Sequence, residues 1–349
     1  MSSIVTVTGA SGHIGAFIVR GLLAQGRRVR AVYLGDAPAL EGLDVEHVRA
    51  DVTDRQVIGR AIQGSEVVYH LAALISLHER DAALMRRVNV DGVRNVVDAC
   101  VEHGVRRLIH FSSIHAYQPR PPGETLDETC PLALGKHVDL PSYDRSKAEG
   151  TQRVHEGITR GLEAVLLHPV GVLGPADFKP SQIGDGLLKI ANRQLPALIE
   201  GGFTWVDARD VATTALAAET RGRSGEHYLL GGPWVSVTEM GEMVYRAIGV
   251  RPPRLVTPMW VARMSLPFVR AASWLLGMDT PYNFASLHAI RTHRLVSYEK
   301  AVRELGHKVR PTQESVTDTM RWFQQRGKIR FAPESLPSVG ESAESAVGG

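Results

Sequence analysis

Thr8-Gly9-Ala10-Ser11-Gly12-His13-Ile14-Gly15 follows directly on the strand-like run Ile4 to Thr8 and opens a helical pattern running from Ile14 to Gln25. Between a strand and a helix, the three glycines have separate jobs. The first permits a tight turn, the second lets backbone approach a pyrophosphate, and the third lets the helix pack closely on the strand. The helix N-terminus presents N–H groups that have no intrahelical partner, and these suit an anion. Gly9, Ser11, Gly12, His13, Ile14 and Gly15 are therefore expected to face a dinucleotide. A merely tight βα turn is the plainer alternative, and the strand-turn-helix context favours the phosphate turn.

Outward from this turn, short runs rich in Val and Ile alternate with longer helical patterns. Ile4 to Thr8, Val29 to Tyr33, Val45 to Arg49, Val67 to Leu71, Leu108 to Ser112 and Ala164 to His168 read as strands. Ile14 to Gln25, Gln56 to Ile62, Val88 to His103 and Tyr143 to Arg160 carry apolar residues at helical spacing. Continuously apolar strands are covered on both faces. The pattern predicts an α/β fold: a Rossmann-type doubly wound parallel sheet, with a smaller, mostly helical C-terminal substrate domain. Residues 171–202 are loop-rich, and strand and helix signals return at Trp205 to Glu219 and Glu226 to Leu230. Residues 1–170 and 203–232 are thus assigned to the dinucleotide-binding domain, and 171–202 and 233–330 to the substrate domain. The Ser-, Glu-, Gly- and Pro-rich residues 331–349 have almost nothing to bury and are expected to form a disordered tail.

The end of the second strand reports which dinucleotide binds, because a carboxylate there takes ribose hydroxyls and an arginine takes a 2′-phosphate. Here it reads Val32-Tyr33-Leu34-Gly35-Asp36, which supplies neither signal. No Lys or Arg occurs between Ala31 and Glu46, so a 2′-phosphate near Asp36 would lack a cation in this stretch. The reading leans toward NAD over NADP. Tyr33 is placed at the adenosine, and Asp51-Val52, ending the third strand, at the adenine edge; a helix N-cap region is the other reason for that Asp.

Tyr143 and Lys147 sit four residues apart on a helical pattern, which brings them to one face about 5 to 6 Å apart at Cβ. A phenol with an ordinary pKa of about 10 needs a neighbouring cation to act as acid and base near neutrality. Lys147 can supply it, although an ordinary surface pair has the same spacing. Ser113, in Phe111-Ser112-Ser113-Ile114-His115, follows the fifth strand at the edge where parallel sheets bind ligands, so its hydroxyl can polarise a substrate carbonyl or simply cap a turn. Ser113, Tyr143 and Lys147 are the expected catalytic set.

Composition narrows the function further. The 349 residues are 44% hydrophobic and 22% charged, and 40 basic against 37 acidic side chains contain no dense cationic run of the kind that tracks nucleic acid. The only cysteines, Cys100 and Cys130, fit a reducing compartment. The N-terminal residues carry no leader pattern, which leads to a cytoplasmic expectation. Arg263, Pro267 and Arg270 interrupt the apolar stretch from Pro258 to Met278, so no integral membrane segment is expected. None of the 14 histidines forms H-E-x-x-H and no G-x-S-x-G elbow occurs, so no metal and no serine nucleophile is assigned.

Thr8 to Gly15, Asp51-Val52, His70-Leu71-Ala72-Ala73, Asn89-Val90-Asp91-Gly92, Ser113 and Tyr143-x-x-x-Lys147 together resemble the extended short-chain dehydrogenase/reductase superfamily. Asp177-Phe178-Lys179-Pro180 and the stretch from Tyr298 to Gly306 are similar to its bacterial dihydroflavonol-4-reductase-like branch, near 3β-hydroxysteroid dehydrogenases. The resemblance implies NAD or NADP as cofactor, with Leu71, Ala72 and Ala73 beside it. It also implies that Pro169, Val170 and Val172 line the nicotinamide, that Lys147 holds the nicotinamide ribose, and that Asn89 orders the helix behind the site. It suggests a homodimer. Nucleotide-sugar members carry an arginine just before the return strand, where this chain has Gly202-Phe203-Thr204-Trp205. Phe203, Trp205, Trp260, Phe268 and Trp274 suggest instead an apolar lining and an uncharged ketone, aldehyde or secondary alcohol as the small-molecule substrate. The alternatives are an epimerase or dehydratase with tightly held NAD, and a non-catalytic dinucleotide sensor.

Overall fold

Seven of the Val- and Ile-rich runs pair in one all-parallel sheet. In the computed structural model, which describes residues 3–121, 123–135, 140–276, 287 and 295–330, the chain runs β1 (Ile4–Thr8), α1 (His13–Ala24), β2 (Arg28–Tyr33), β3 (Glu46–Arg49), α2 (Arg55–Ile62), β4 (Ser65–His70), α3 (Ala82–Arg86), α4 (Gly92–Glu102), β5 (Arg107–Phe111), α5 (Ser142–Ile158) and β6 (Ala164–Pro169). There follow β7 (Gly171–Leu173), α6 (Gln182–Ala191), β8 (Leu198–Ile199), β9 (Gly202–Asp207), α7 (Ala208–Arg221), β10 (His227–Leu230), β11 (Trp234–Ser236), α8 (Val237–Ile248), β12 (Val256–Thr257), α9 (Met259–Leu276) and a last helix, Thr312–Gln325. The expected tail, 331–349, lies outside the described residues.

The sheet order is β10-β6-β5-β4-β1-β2-β3. The chain builds outward from β1 to β3, then returns to lay β4 on the other side of β1, and this reversal opens a crevice at the carboxyl ends of β1 and β4. Alternation along each strand divides the core. Val7, Tyr69, Ile109 and Leu167 pack with Ile18, Leu22, Val211 and Ala215 of α1 and α7. Val68, Leu108, Ala164 and Leu166 pack with Ile58, Val96, Cys100 and Val154 of α2, α4 and α5. Both faces are covered, so the doubly wound sheet expected from the sequence is present.

Two stretches differ from their expected form. The helix expected from Val88 is preceded by α3, and a π turn over Arg87–Asp91 joins α3 to α4. The carbonyl of Asn89 in that turn lies against Gly150 of α5, where an added Cβ would stand only 2.3 Å from its oxygen. The stretch expected to return to the cofactor sheet is split. β10 takes the open edge of β6, with His227 opposite Leu166, whereas β9 pairs with β7 in parallel and with β11 antiparallel. β9 fits that small sheet because it starts at Gly202, where a Cβ would meet the Val235 carbonyl at 2.5 Å. Beyond it, α6, α8 and the last helix bury Leu187, Val244, Val316, Met320 and Phe323 in a core of their own.

Candidate active site

Gly9 adopts φ +71°, and a Cβ there would stand 2.8 Å from the amide nitrogen of Ala72. A Cβ at Gly15 would stand 2.3 Å from the Gly9 carbonyl. Both glycines are therefore required by close backbone approach, one between the turn and Leu71-Ala72, the other between α1 and the turn. Gly12 is the N-cap of α1 and supplies no side-chain cap, so the first amides of the helix stay open to an anion. Thr8 ties the two chain crossings together: its Oγ1 bonds His70 Nδ1 at 2.7 Å, and its carbonyl accepts the Leu71 amide at 3.1 Å. Ser11 and Ile14 are half-buried on the same turn, and His13 Nε2 reaches the Pro175 carbonyl at 2.8 Å. This cradle fits a dinucleotide diphosphate.

Along the same edge, Tyr33 pairs in register with Arg49 and its hydroxyl lies 3.3 Å from His47 Nδ1. Asp51 accepts the Thr53 amide at 2.8 Å, while the N-cap of α2 is Asp54, which accepts the Gln56 and Val57 amides. Asp51 thus shapes the turn after β3 and does not cap the helix. Val52 is buried against Gly92. Ala73 is exposed beyond Ala72, and at the other side of the crevice Pro169 and Val170 are buried while Val172 is half-buried.

Tyr143 and Lys147 occupy the first turns of α5, one helical turn apart. The N-terminus of α5 is capped from a distance, since Glu79 accepts the Ser142 amide at 3.0 Å and also its hydroxyl. Ser113 caps the turn after β5. Its Oγ accepts the His115 amide at 3.2 Å, and its side chain stands near enough to Tyr143 to favour the charged phenol. Lys147 is buried at 7% exposure, and its Nζ donates to the Phe111 carbonyl at 3.3 Å. Burial lowers the Lys147 pKa to about 8. Burial also pushes the Tyr143 phenol above its ordinary value; Ser113 opposes this and Asp144 adds to it. Burial is the largest of these effects, so the phenol stands above its ordinary value.

Asn89 braces the helix from behind. Its Nδ2 donates to the Leu74 carbonyl at 2.9 Å and to Ser146 Oγ at 3.0 Å, and its Oδ1 accepts the Leu74 amide at 2.8 Å. Sequence reasoning missed three site neighbours: Glu79, His115 and Asp144. The His115 ring meets the Tyr143 ring edge-on at 5.8 Å, and His115 Nδ1 lies 3.4 Å from Asp144 Oδ1. Proximity of His115 to Ser113 in the chain was a usable signal; for Glu79 there was none.

The expected aromatic lining is corrected in part. Trp205 is buried in the core of the smaller lobe and donates from Nε1 to the Val235 carbonyl at 3.3 Å, because β9 turns it toward α6 and α8. Phe203 packs edge-on against it at 5.4 Å. Trp260 is 70% exposed. The side chains of Phe268 and Trp274 lie outside the described residues. Among the described residues no group of His, Cys, Asp or Glu is arranged to hold a metal ion, and no helix is long and apolar enough to cross a membrane.

Known proteins are similar to this chain in sequence and fold. Residues 5–231 match the model of the NAD dependent epimerase/dehydratase family. "Sterol demethylase protein B" of Methylococcus capsulatus is 33% identical over 330 residues, covering 93% of this chain and 99% of its own. A "Putative dihydroflavonol 4-reductase" of Synechocystis is 28% identical over 95% of this chain and 97% of its own. The crystal structure of gox2253 superposes with a TM-score of 0.81 at 30% identity, covering 94% of this chain and all of that one. With the glycine cradle, the parallel sheet and these matches in agreement, the chain belongs to the NAD-dependent epimerase/dehydratase family of the extended short-chain dehydrogenase/reductase superfamily.

Proposed function

We propose that this protein is an NAD(P)-dependent dehydrogenase or reductase acting on an uncharged ketone, aldehyde or secondary alcohol, with Tyr143 as its acid and base. The observation that carries the reading is the convergence of Ser113, at the carboxyl end of β5, with Tyr143 and the buried Lys147 on the first turns of α5, whose Nζ donates to the Phe111 carbonyl at 3.3 Å. A bound nicotinamide supplies or accepts the hydride. In the reducing direction, Ser113 donates a hydrogen bond to the carbonyl oxygen and Tyr143 gives that oxygen its phenolic proton as the carbon gains hydride. Lys147, fixed by the Phe111 carbonyl, holds the nicotinamide ribose and favours the phenolate that the transfer leaves behind. Gly9 to Gly15 hold the diphosphate; Tyr33, Asp51 and Val52 flank the adenosine; Leu71, Ala72 and Ala73 lie along the dinucleotide; and Pro169, Val170 and Val172 line the nicotinamide.

A sterol-sized or polycyclic apolar substrate is the class we favour, supported by the sterol-related name of the 33% identical relative and by the absence of a cation in Gly202 to Trp205 that would anchor a nucleotide-sugar diphosphate. We also propose a homodimer built through α4 and α5. The test is a panel of 3-oxosteroids, aromatic aldehydes and flavanonols assayed in parallel with NADH and NADPH. Turnover is expected with an apolar carbonyl, and Tyr143→Phe should lower kcat by about 10² to 10⁴ while leaving dinucleotide affinity nearly unchanged. Retained turnover in that variant would remove Tyr143 as the acid. A purified protein that keeps NAD through gel filtration and turns over no carbonyl would point to the epimerase or dehydratase reading.

A further inference from the structure

The end of β2 has no cation of its own, which by itself favours NAD over NADP. The fold brings one there from the other lobe. The Nζ of Lys179, in the loop between β7 and α6, stands 3.8 Å from where a Cβ on Gly35 would lie. We propose that Lys179 is the cation that receives the adenosine 2′-phosphate of NADP(H), so that the dinucleotide is selected by a residue of the substrate lobe. This deepens the proposed function and rests on its premise that the crevice holds a dinucleotide.

The loop is anchored on both sides of the lysine. Asp177 is 3% exposed, and its Oδ2 accepts both the amide and the hydroxyl of Ser181, at 2.8 and 2.9 Å. Ser181 in turn caps α6 by accepting the Gly184 amide at 3.0 Å. The Phe178 ring meets Trp322 edge-on at 5.2 Å and lies under the Arg326 guanidinium at 4.5 Å. Pro180 restricts the backbone immediately after the lysine. At its near end the loop is tied to the phosphate turn by the His13–Pro175 bond. With Asp177 and Phe178 held in the smaller lobe, Lys179 is the residue projected across to β2. It is exposed and makes no hydrogen bond or ion pair with any described residue.

The surroundings need that charge. Leu34 is 63% exposed and offers no polar atom beyond its backbone, Gly35 has none, and Asp36 is an exposed carboxylate that would repel a dianion. Tyr33 contributes a hydroxyl, and the exposed Arg49 starts one strand away, opposite Tyr33. An ammonium with three donors beside Gly35 offsets Asp36 and gives a phosphate charge-assisted hydrogen bonds that a ribose hydroxyl cannot match.

The experiment titrates the full-length protein with NADPH, NADH, 2′,5′-ADP and 5′-AMP, following intrinsic tryptophan fluorescence or heat, at low and at 150 mM salt. The wild type is expected to bind NADPH about tenfold to a hundredfold more tightly than NADH, and 2′,5′-ADP more tightly than 5′-AMP. Lys179→Met should erase both preferences with NADH affinity kept within about twofold, and Lys179→Arg should retain them. Equal weakening of NADPH and NADH in Lys179→Met would place the lysine on the shared diphosphate and overturn the proposal. So would an unchanged ratio, or a wild type that prefers NADH. Failure of the wild type to bind either dinucleotide would instead overturn the premise, a result distinct from all of these.

Discussion

Lys147 is an ammonium enclosed by protein, with one backbone carbonyl as its hydrogen-bond partner among the described residues. Burial of a charge with so little compensation disfavours the charged form, and the pKa falls to about 8. Between that value and the ordinary lysine value of about 10.4, the unfolded chain holds a proton that the folded protein lacks, so stability rises with pH across this window. Below about pH 8 the folded state carries the full desolvation cost, on the order of 3 kcal/mol for this shift. Lys147→Met should therefore raise the Tm of the cofactor-free protein at pH 7 and flatten the rise that the wild type shows between pH 8 and 10. Thermal melts of both proteins across that range check it, and parallel curves would mean that the ammonium is well solvated. The same variant should bind dinucleotide more weakly. A stability gain paired with a binding loss marks a residue kept for chemistry at the expense of the fold.

At the scale of one element, α5 owes its placement to what it lacks. Gly150 meets the Asn89 carbonyl, and Gly157 meets Val97, with 2.3 and 2.4 Å left for an added Cβ. At Gly150 the obstructing atom is a backbone carbonyl oxygen, so nothing can give way cheaply. Gly150→Ala should cost about 1 to 3 kcal/mol in urea unfolding and displace Tyr143 and Lys147 enough to lower kcat more than dinucleotide affinity. Gly59→Ala in α2 is the control. No atom lies within 4 Å of its added Cβ, and it should stabilise by about 0.5 to 1 kcal/mol. Equal effects of the two substitutions would defeat the packing argument. The same helix shows what was legible. The four-residue spacing of Tyr143 and Lys147 is local, and so is the strand-turn-helix setting of Gly9 to Gly15; both were readable before any contact was known. The cap by Glu79, the π turn at Asn89 and the reach of Lys179 to Gly35 depend on which segments become neighbours. The pairing of β9 with β7 and β11 was missed for that reason too, because an apolar run declares itself a strand without naming its partner.

Across the whole molecule, the face of the main sheet that meets α5 carries a row of imidazoles: the buried His70 on β4, His110 on β5 and His168 on β6, and the half-buried His227 on β10, with His155 of α5 beyond them. Ring centroids lie 5.4 Å apart for His70 and His110, 4.8 Å for His168 and His227, and 5.0 Å for His227 and His155. Burial, with Lys147 adding to it for the first three, lowers His70 to about 3 and holds His110 and His168 well below the ordinary histidine value; burial and His155 lower His227 to about 4. Lys300 adds to the lowering of His227 and Glu226 opposes it. His155 is lowered by burial alone. Individually each was visible only as a strand or helix residue; the parallel register assembles them. His70, His110, His168 and His227 fold neutral, so between pH 6.5 and about 4 the unfolded chain takes up protons at these four that the folded protein refuses, and stability is lost as pH falls through that window. Each such imidazole contributes a slope of about 1.4 kcal/mol per pH unit. Unfolding free energies measured at pH 7, 6 and 5 should thus fall by several proton equivalents, and His110→Leu, an apolar side chain of similar size in register between His70 and Leu166, should reduce the slope by about one. An identical slope in the variant would show that His110 takes up its proton inside the fold, and that the row is reached by water from the crevice.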